Sequence, residues 1–213
     1  MGVTVVEDGD QYSTDFTKCL KYLKGHTGEI LSPTTKPSAS AWAKQDDDDD
    51  VNRLDILILG GLGGRVDQAF SQIHHLYQMT REYSSAQSAG NLYLVSEESL
   101  MFILQPGRNV IHTPGVGREQ PQHNESNSSS DGNAPGGENA GEDLLEENVG
   151  IIPLSGPARI TTKGFEWDVE DWHTEIGGQI STSNHIRDDL VEVQTDVPVL
   201  FTVELAGRFK RVR

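Results

Sequence analysis

Leu54-Asp55-Ile56-Leu57-Ile58-Leu59-Gly60-Gly61-Leu62-Gly63-Gly64-Arg65-Val66-Asp67-Gln68 reads as a strand, a loop and the start of a helix. The first six residues are a short, mostly apolar run that suits a buried parallel strand, and Ala69 to Tyr77 carry apolar residues at helical spacing. Four glycines let the backbone turn sharply and approach a ligand closely. Strand-to-helix turns of this kind attract anions, because free amides and the helix dipole point at the bound charge. Arg65 and Asp67 add one group suited to phosphate and one suited to a metal. The stretch is neither a G-x-G-x-x-G fingerprint nor a Walker loop, which needs Lys-Ser or Lys-Thr after its last glycine. On its glycines alone it is either a ligand loop or a structural turn.

Upstream, Val3-Thr4-Val5-Val6 reads as a short strand, followed by a helix from about Ser13, with Ser13 as N-cap and Asp15 in the first turn. Gly25 to Asp50, rich in Pro, Thr, Ser and Asp, reads as an exposed loop. Downstream, Asn91 to Val95 is a strand; Leu100 to Leu104 and Asn109 to His112, joined by Gln105-Pro106-Gly107-Arg108, suggest a hairpin. Pro114 to Asn148 has no periodicity and reads as disordered. Beyond it, Gly150 to Leu154, Ala158 to Thr162, Gln179 to Ser183, Leu190 to Thr195 and Val199 to Leu205 are short strands with turn residues between them, as in a small sandwich or barrel. The fold class expected is α/β followed by an all-β sandwich, with segments 1–112 (including an insertion at 25–50), 113–148 and 149–213.

The 213 residues, 35% of them hydrophobic, are enough for one or two small cores. A formal charge of -16 argues against nucleic acid or an anionic membrane as partner. Part of that charge is local: Asp46 to Asp50 is an unbroken acidic run, and Glu138, Glu142, Asp143, Glu146 and Glu147 follow later. Such runs are usually solvated. A single cysteine, Cys19, excludes an intrachain disulfide and reads as a small buried residue of the first helix. No apolar run reaches the roughly 20 residues of a membrane span, and the first residues lack signal-peptide character, so the expected setting is soluble and cytoplasmic.

Two further places carry chemistry. In Gln11-Tyr12-Ser13-Thr14-Asp15-Phe16-Thr17-Lys18, residues three and four apart share a helix face, so Asp15 and Lys18 can approach one ligand; a capped helix with a solvated lysine is the plainer reading. In Thr162-Lys163-Gly164-Phe165-Glu166-Trp167 and Gly177 to His185, an aromatic beside small hydroxyl and amide side chains suits a flat heteroaromatic ligand. Trp167 as ordinary core is the alternative.

In this order the three motifs resemble those of the thiamine pyrophosphokinase family, which transfers a diphosphoryl group from ATP to thiamine. The matching pieces are Asp10-Gln11-x-Ser13-Thr14-Asp15-Phe16-Thr17-Lys18-Cys19-Leu20, Gly60-Gly61-Leu62-Gly63-Gly64-Arg65-x-Asp67-Gln68, and Ser181-Thr182-Ser183-Asn184 with Val193-x-Thr195-Asp196-x-Pro198-Val199-Leu200. The resemblance covers nearly all the structured segments, and its insertions suit a eukaryotic, fungal-like member.

It implies a partial Rossmann-like three-layer ATP-binding domain over 1–112, a thiamine-binding β-sandwich over 149–213, and a homodimer with active sites between subunits. It further implies Asp15 as a magnesium ligand or catalytic carboxylate, with Gln11, Thr14 and Lys18 at phosphate or the thiamine hydroxyl. Arg65 and Asp67, with Gly63, Gly64 and Gln68, would face the ATP phosphates and the Mg2+ they carry. Trp167 would stack on the thiamine pyrimidine, with Ser181, Thr182, Ser183 and Asn184 bonding the ring or shaping its pocket.

The resemblance also calls for an aspartate-glycine-glycine loop and a glycine-aspartate-phenylalanine-aspartate motif upstream of Gln11, and neither occurs in this sequence; Asp8-Gly9-Asp10 stands too close to Gln11 to replace them. Val66 occupies a position usually aromatic. The sequence therefore reads as an N-terminally truncated member whose activity alone is in question. A thiamine-binding or dimerising remnant without transfer is the second reading, and an acidic interaction protein resting on Asp46 to Asp50 the third.

Overall fold

In the computed structural model, which describes residues 5–32, 54–60, 62–83, 89–116 and 144–210, Leu54–Leu59 (β1) runs parallel to Ala89–Val95 (β2), with Ile56 opposite Leu92 and Leu59 opposite Val95. Helix Val66–Tyr83 (α3) makes the crossover that a parallel pair requires. It is preceded by Asp15–Gly25 (α1) and the five-residue helix Thr27–Leu31 (α2). The remaining strands are Ser99–Leu104 (β3), Gly107–His112 (β4), Leu145–Pro153 (β5), Ala158–Lys163 (β6), Trp172–Thr174 (β7), Ser181–His185 (β8), Leu190–Thr195 (β9) and Val199–Leu205 (β10).

These strands form a six-stranded sheet in the order β1-β2-β3-β10-β5-β8 and a four-stranded sheet in the order β4-β9-β6-β7. Apart from β1 with β2, the strand pairings are antiparallel. Period-two alternation makes the large sheet a middle layer. On β10, Val199, Phe201 and Val203 face the core shared with the second sheet, where Ile160, Val191 and Val193 meet them. Leu200 faces the other way, into the core that Leu20, Leu76 and Met79 of the helices make with Met101 and Ile103 of β3. The architecture is mixed and sheet-rich, and one sheet runs through the segments read separately from sequence.

Several local readings change. Gln105 to Arg108 does not close a hairpin: β3 belongs to the large sheet and β4 to the small one, so the turn, with Gly107 at φ +109°, carries the chain between layers. The strand Leu54–Leu59 is parallel but not buried on both sides, for Leu57 and Leu59 are 60% and 77% exposed on the face away from α3. Val5 and Val6 are exposed and outside any strand, whereas residues 3 and 4 lie outside the described residues. Cys19 is exposed because the buried stripe of α1 runs through Phe16, Leu20 and Leu23, and position 19 falls off it. The helix cap is Thr14, whose Oγ1 accepts from Thr17 N; Ser13 instead hydrogen-bonds Asp10.

The loop expected at 25–50 begins with α2, and residues 145–148 of the expected disordered stretch belong to β5; the acidic run Asp46 to Asp50 and residues 117–143 lie outside the described residues. Among the described residues, no helix is long and apolar enough to cross a membrane.

Candidate functional site

The first cluster forms where β1 hands over to α3. Gly60 donates its N–H to Val95 O at 2.8 Å, which ties the loop to the end of β2. Gly60 and Gly64 have φ of +88° and +83°, and neither has an atom within 4 Å of where a Cβ would stand. Glycine is therefore required there by backbone conformation rather than by crowding. Arg65 O accepts from Gln68 N and Ala69 N at 3.1 and 3.2 Å, so Arg65 opens the helix. Its guanidinium grips Asp67 with Nε to Oδ1 at 3.1 Å and Nη2 to Oδ2 at 2.6 Å, both side chains well exposed. That guanidinium is the main cause holding the Asp67 carboxyl below its usual range. Gly63, Gly64 and Gln68 are exposed beside it, and Gly61 lies outside the described residues.

The start of α1 reaches α3 through a residue that sequence reading missed. His75 is buried, its Nε2 is 3.3 Å from Thr14 Oγ1, and its ring lies 5.4 Å from that of Phe16. Burial is the first cause, and neighbouring His74 the second, that push the His75 imidazole toward neutrality. Its Nδ1 has no hydrogen-bond partner among the described residues. Gln11 and Asp15 are exposed, while Lys18 donates Nζ to Asp8 O at 3.1 Å rather than to Asp15. A metal cage is not assembled: among the described residues no three His, Cys, Asp or Glu side chains converge as one. Asp15 is an exposed carboxylate and Asp67 is engaged by Arg65, so among the described residues these two do not make a closed magnesium site.

The second cluster is built on the turn after β6. Gly164, at φ +92°, has Leu190 O and Val191 Cγ1 3.2 Å from a would-be Cβ, so a side chain there is barred by conformation and by space. Asp168 pins the turn, accepting from Thr162 Oγ1 at 3.1 Å, Gly164 N at 3.0 Å and Phe165 N at 3.2 Å. Trp167 projects from this turn with 55% of its surface exposed, which removes the reading of it as core.

Asn184, only 5% exposed, holds the tryptophan's backbone on both sides. Its Oδ1 accepts from Trp167 N at 3.1 Å and from His185 N at 2.8 Å, and its Nδ2 donates to Trp167 O at 3.0 Å. These bonds engage the Asn184 amide with the turn that carries Trp167. Ser181 is half-buried, Thr182 and Ser183 are exposed, and Ser183 adopts φ +57°. Thr182 and Ser183 line a shallow cavity of about 360 Å³ with Glu98, Asn148 and Glu204.

The two clusters occupy opposite edges of the large sheet, one at β1 and the other beside β8. Five interstrand spacings separate them, about 24 Å. The structure thus brings Thr14 to α3 and Trp167 to Asn184, and keeps Trp167 away from Arg65 of the same chain.

Residues 1–87 match the family profile described as thiamin pyrophosphokinase, catalytic domain, and residues 139–200 that described as thiamin pyrophosphokinase, vitamin B1 binding domain. Thiamine pyrophosphokinase 2 of Arabidopsis thaliana is 26% identical over 207 residues, covering 96% of this chain and 57% of the relative. Thiamine pyrophosphokinase of Saccharomyces cerevisiae is 24% identical over 231 residues, covering 95% and 62%. Thiamin pyrophosphokinase from Candida albicans shares the fold with a TM-score of 0.61 at 22% identity, over 92% of this chain and 64% of that one. The chain thus spans about three-fifths of the length of these curated relatives.

Proposed function

Because the chain belongs to the thiamin pyrophosphokinase family, we propose that it acts in diphosphoryl transfer from ATP to thiamine, giving thiamine diphosphate and AMP. The thiamine hydroxyl oxygen attacks the β-phosphorus, the bond to the α-phosphate oxygen breaks, AMP leaves, and the hydroxyl proton passes to a base. Asp15, exposed on the first turn of α1, is the proposed acceptor of that proton. Gln11, Thr14 and Lys18 are proposed around the phosphates and the hydroxyl, and Gly63, Gly64, Arg65, Asp67 and Gln68 at the ATP phosphates. The exposed α3 start supports this, since amides at a helix N-terminus and an exposed guanidinium, here paired with Asp67, suit a polyanion.

Residues 1–112 are proposed as the nucleotide-handling part and 149–213 as the thiamine-binding part. The observation that carries the reading is Trp167: a large, flat, solvent-facing ring on a turn fixed by Asp168 and Asn184 is a stacking surface for a heteroaromatic ligand. Ser181, Thr182 and Ser183 are proposed to bond or border that ligand. The 24 Å or so between the clusters favours a homodimer in which one protomer's Trp167 faces its partner's glycine loop.

Incubation with ATP, magnesium and thiamine, followed by chromatography of thiamine diphosphate and AMP in equal amounts, tests the proposal. Thiamine binding without turnover would remove the transfer step, and absence of both would overturn the reading. Neither family match favours a non-catalytic remnant. Arg65→Ala should leave the melting temperature unchanged, since the Arg65–Asp67 pair is exposed. ATP affinity should fall about tenfold for want of one charge-assisted phosphate contact. An unaltered ATP titration would remove Arg65 from the site.

A further inference from the structure

The surroundings of Trp167 contain a bracket of charged groups that the transfer chemistry leaves unused. The imidazole of His185 lies 5.1 Å from the indole, centroid to centroid, with the planes inclined by 43°. Its Nδ1 is 2.7 Å from Glu166 Oε2, which as a carboxylate can only accept in that contact. Arg187 Nη2, 3.0 Å from the same nitrogen, donates to the same carboxylate, and its Nη1 donates to Glu147. Glu166 N donates to His185 O at 2.8 Å and Arg187 N to Gly164 O at 2.9 Å, so backbone bonds hold the two segments face to face. The His185 side chain is 25% exposed, far more enclosed than the indole it leans on.

Asn184 fixes the backbone of Trp167 but cannot fix the rotation of its ring, because the side chain has two free torsions. A solvent-facing indole without a lateral neighbour samples several rotamers and loses that freedom when a ligand stacks on it. We propose that His185 and Glu166 are positioning residues for Trp167: Glu166 sets the imidazole, and the imidazole sets the tilt of the indole, so that the stacking face exists before thiamine arrives. The inference rests on the thiamine-binding reading of this cluster and adds two residues to it. The bracket also sets the local charge. Two carboxylates, Glu147 and Glu166, stand against one guanidinium, which leaves a negative balance beside a ligand whose thiazolium ring is cationic.

Two measurements on the full chain test the proposal. The first needs no ligand: acrylamide quenching of tryptophan fluorescence, with Trp167→Phe subtracted to isolate Trp167. His185→Ala should raise the quenching constant of Trp167 and shift its emission, Glu166→Ala should do so to a smaller extent, and His185→Phe, which keeps a ring, should restore part of the wild-type value. The second is thiamine titration, in which His185→Ala should weaken binding about two- to tenfold, the span expected of one aromatic pair. In turnover the loss should fall on the KM for thiamine, with kcat unchanged. Wild-type quenching in both His185→Ala and Glu166→Ala overturns the proposal whether or not thiamine binds. Altered quenching in a chain that does not bind thiamine supports the positioning role and overturns the ligand assignment instead.

Discussion

Asn184→Ala is expected to lower stability by about 2–4 kcal/mol and to abolish the ordered state of Trp167 in the same step. The amide is buried, and its removal takes from Trp167 N, His185 N and Trp167 O the partner that each finds in it. Each buried group stripped of its partner costs about 1–3 kcal/mol, with some recovered by water reaching the turn. For a chain of this size the melting temperature should fall by about 5–15 °C. Thiamine affinity should drop by at least about tenfold, since the stacking residue loses its anchor as well as its preset orientation. Asn184→Asp separates the two roles of the amide. It keeps the acceptor for Trp167 N and His185 N but sets a carboxylate against Trp167 O, so its melting temperature should also fall. Calorimetry with and without thiamine reads both effects. An Asn184→Ala protein that melts as wild type and binds thiamine normally would show that Asn184 is not the clamp.

Where the fold was legible, the reason is local. Leu190 to Thr195 and Val199 to Leu205 occur as strands with the bounds the sequence suggests, because buried and exposed positions alternate in β9 and Asp196-Val197-Pro198 breaks the ladder between them. Trp172–Thr174 was missed because three residues at a sheet edge carry too little periodicity to register. The supposed hairpin around Pro106-Gly107 failed for a different reason. Two apolar runs joined by a turn look alike whether the second strand returns beside the first or crosses to another sheet, and only long-range pairing, here Arg108 with Gln194 and Phe201 with Phe102, decides. Leu57 and Leu59 misled because a run of apolar residues in a strand signals two apolar faces, not that both are covered among the described residues.

The candidate site was legible as motifs but not as contacts. The glycines at 60 and 64 do adopt the left-handed backbone that their residue type suggests. Asn184, expected to bond the thiamine ring or shape its pocket, spends its amide on the turn that carries Trp167, a contact that no spacing argument could show across 17 residues. His75 was passed over because one histidine on a helix gives no signal of its own. Its neighbour at position 74 and its place on the buried stripe with Leu76 and Met79 were the available hints. Glu166 becomes interpretable only with Arg187 and His185 beside it; those two partners hold its carboxyl below the usual range, His185 contributing first. The order this network gives Trp167 should therefore be present at neutral and mildly acid pH. It should be lost only as pH falls through that lowered value.

Phe201→Ala should be the most damaging single truncation, at about 3–5 kcal/mol, and its interest lies in where the damage spreads. Phe201 is fully buried on β10, with the Phe102 ring at 5.2 Å and the Phe165 ring at 6.5 Å. Phe165 stands two residues before Trp167 on the turn pinned by Asp168. A cavity at 201 therefore opens directly beneath the stacking platform. Leu200, its neighbour on the same strand, points into the helical core with Leu20 and Leu76. Leu200→Ala should cost about 2–5 kcal/mol on the opposite face of the same sheet. If β10 belongs to one sheet serving both cores, each variant must lower the stability of the whole. Far-ultraviolet dichroism, which follows α1 and α3, and the fluorescence of Trp167 and Trp172 in the sandwich, read in a Trp42→Phe background, should then report one coincident transition in both proteins. Phe201→Ala should in addition raise the quenching of Trp167 in the folded state, and Leu200→Ala should not. Separate transitions, with helices surviving in Phe201→Ala and the sandwich surviving in Leu200→Ala, would divide the molecule into independent units and refute the shared middle layer.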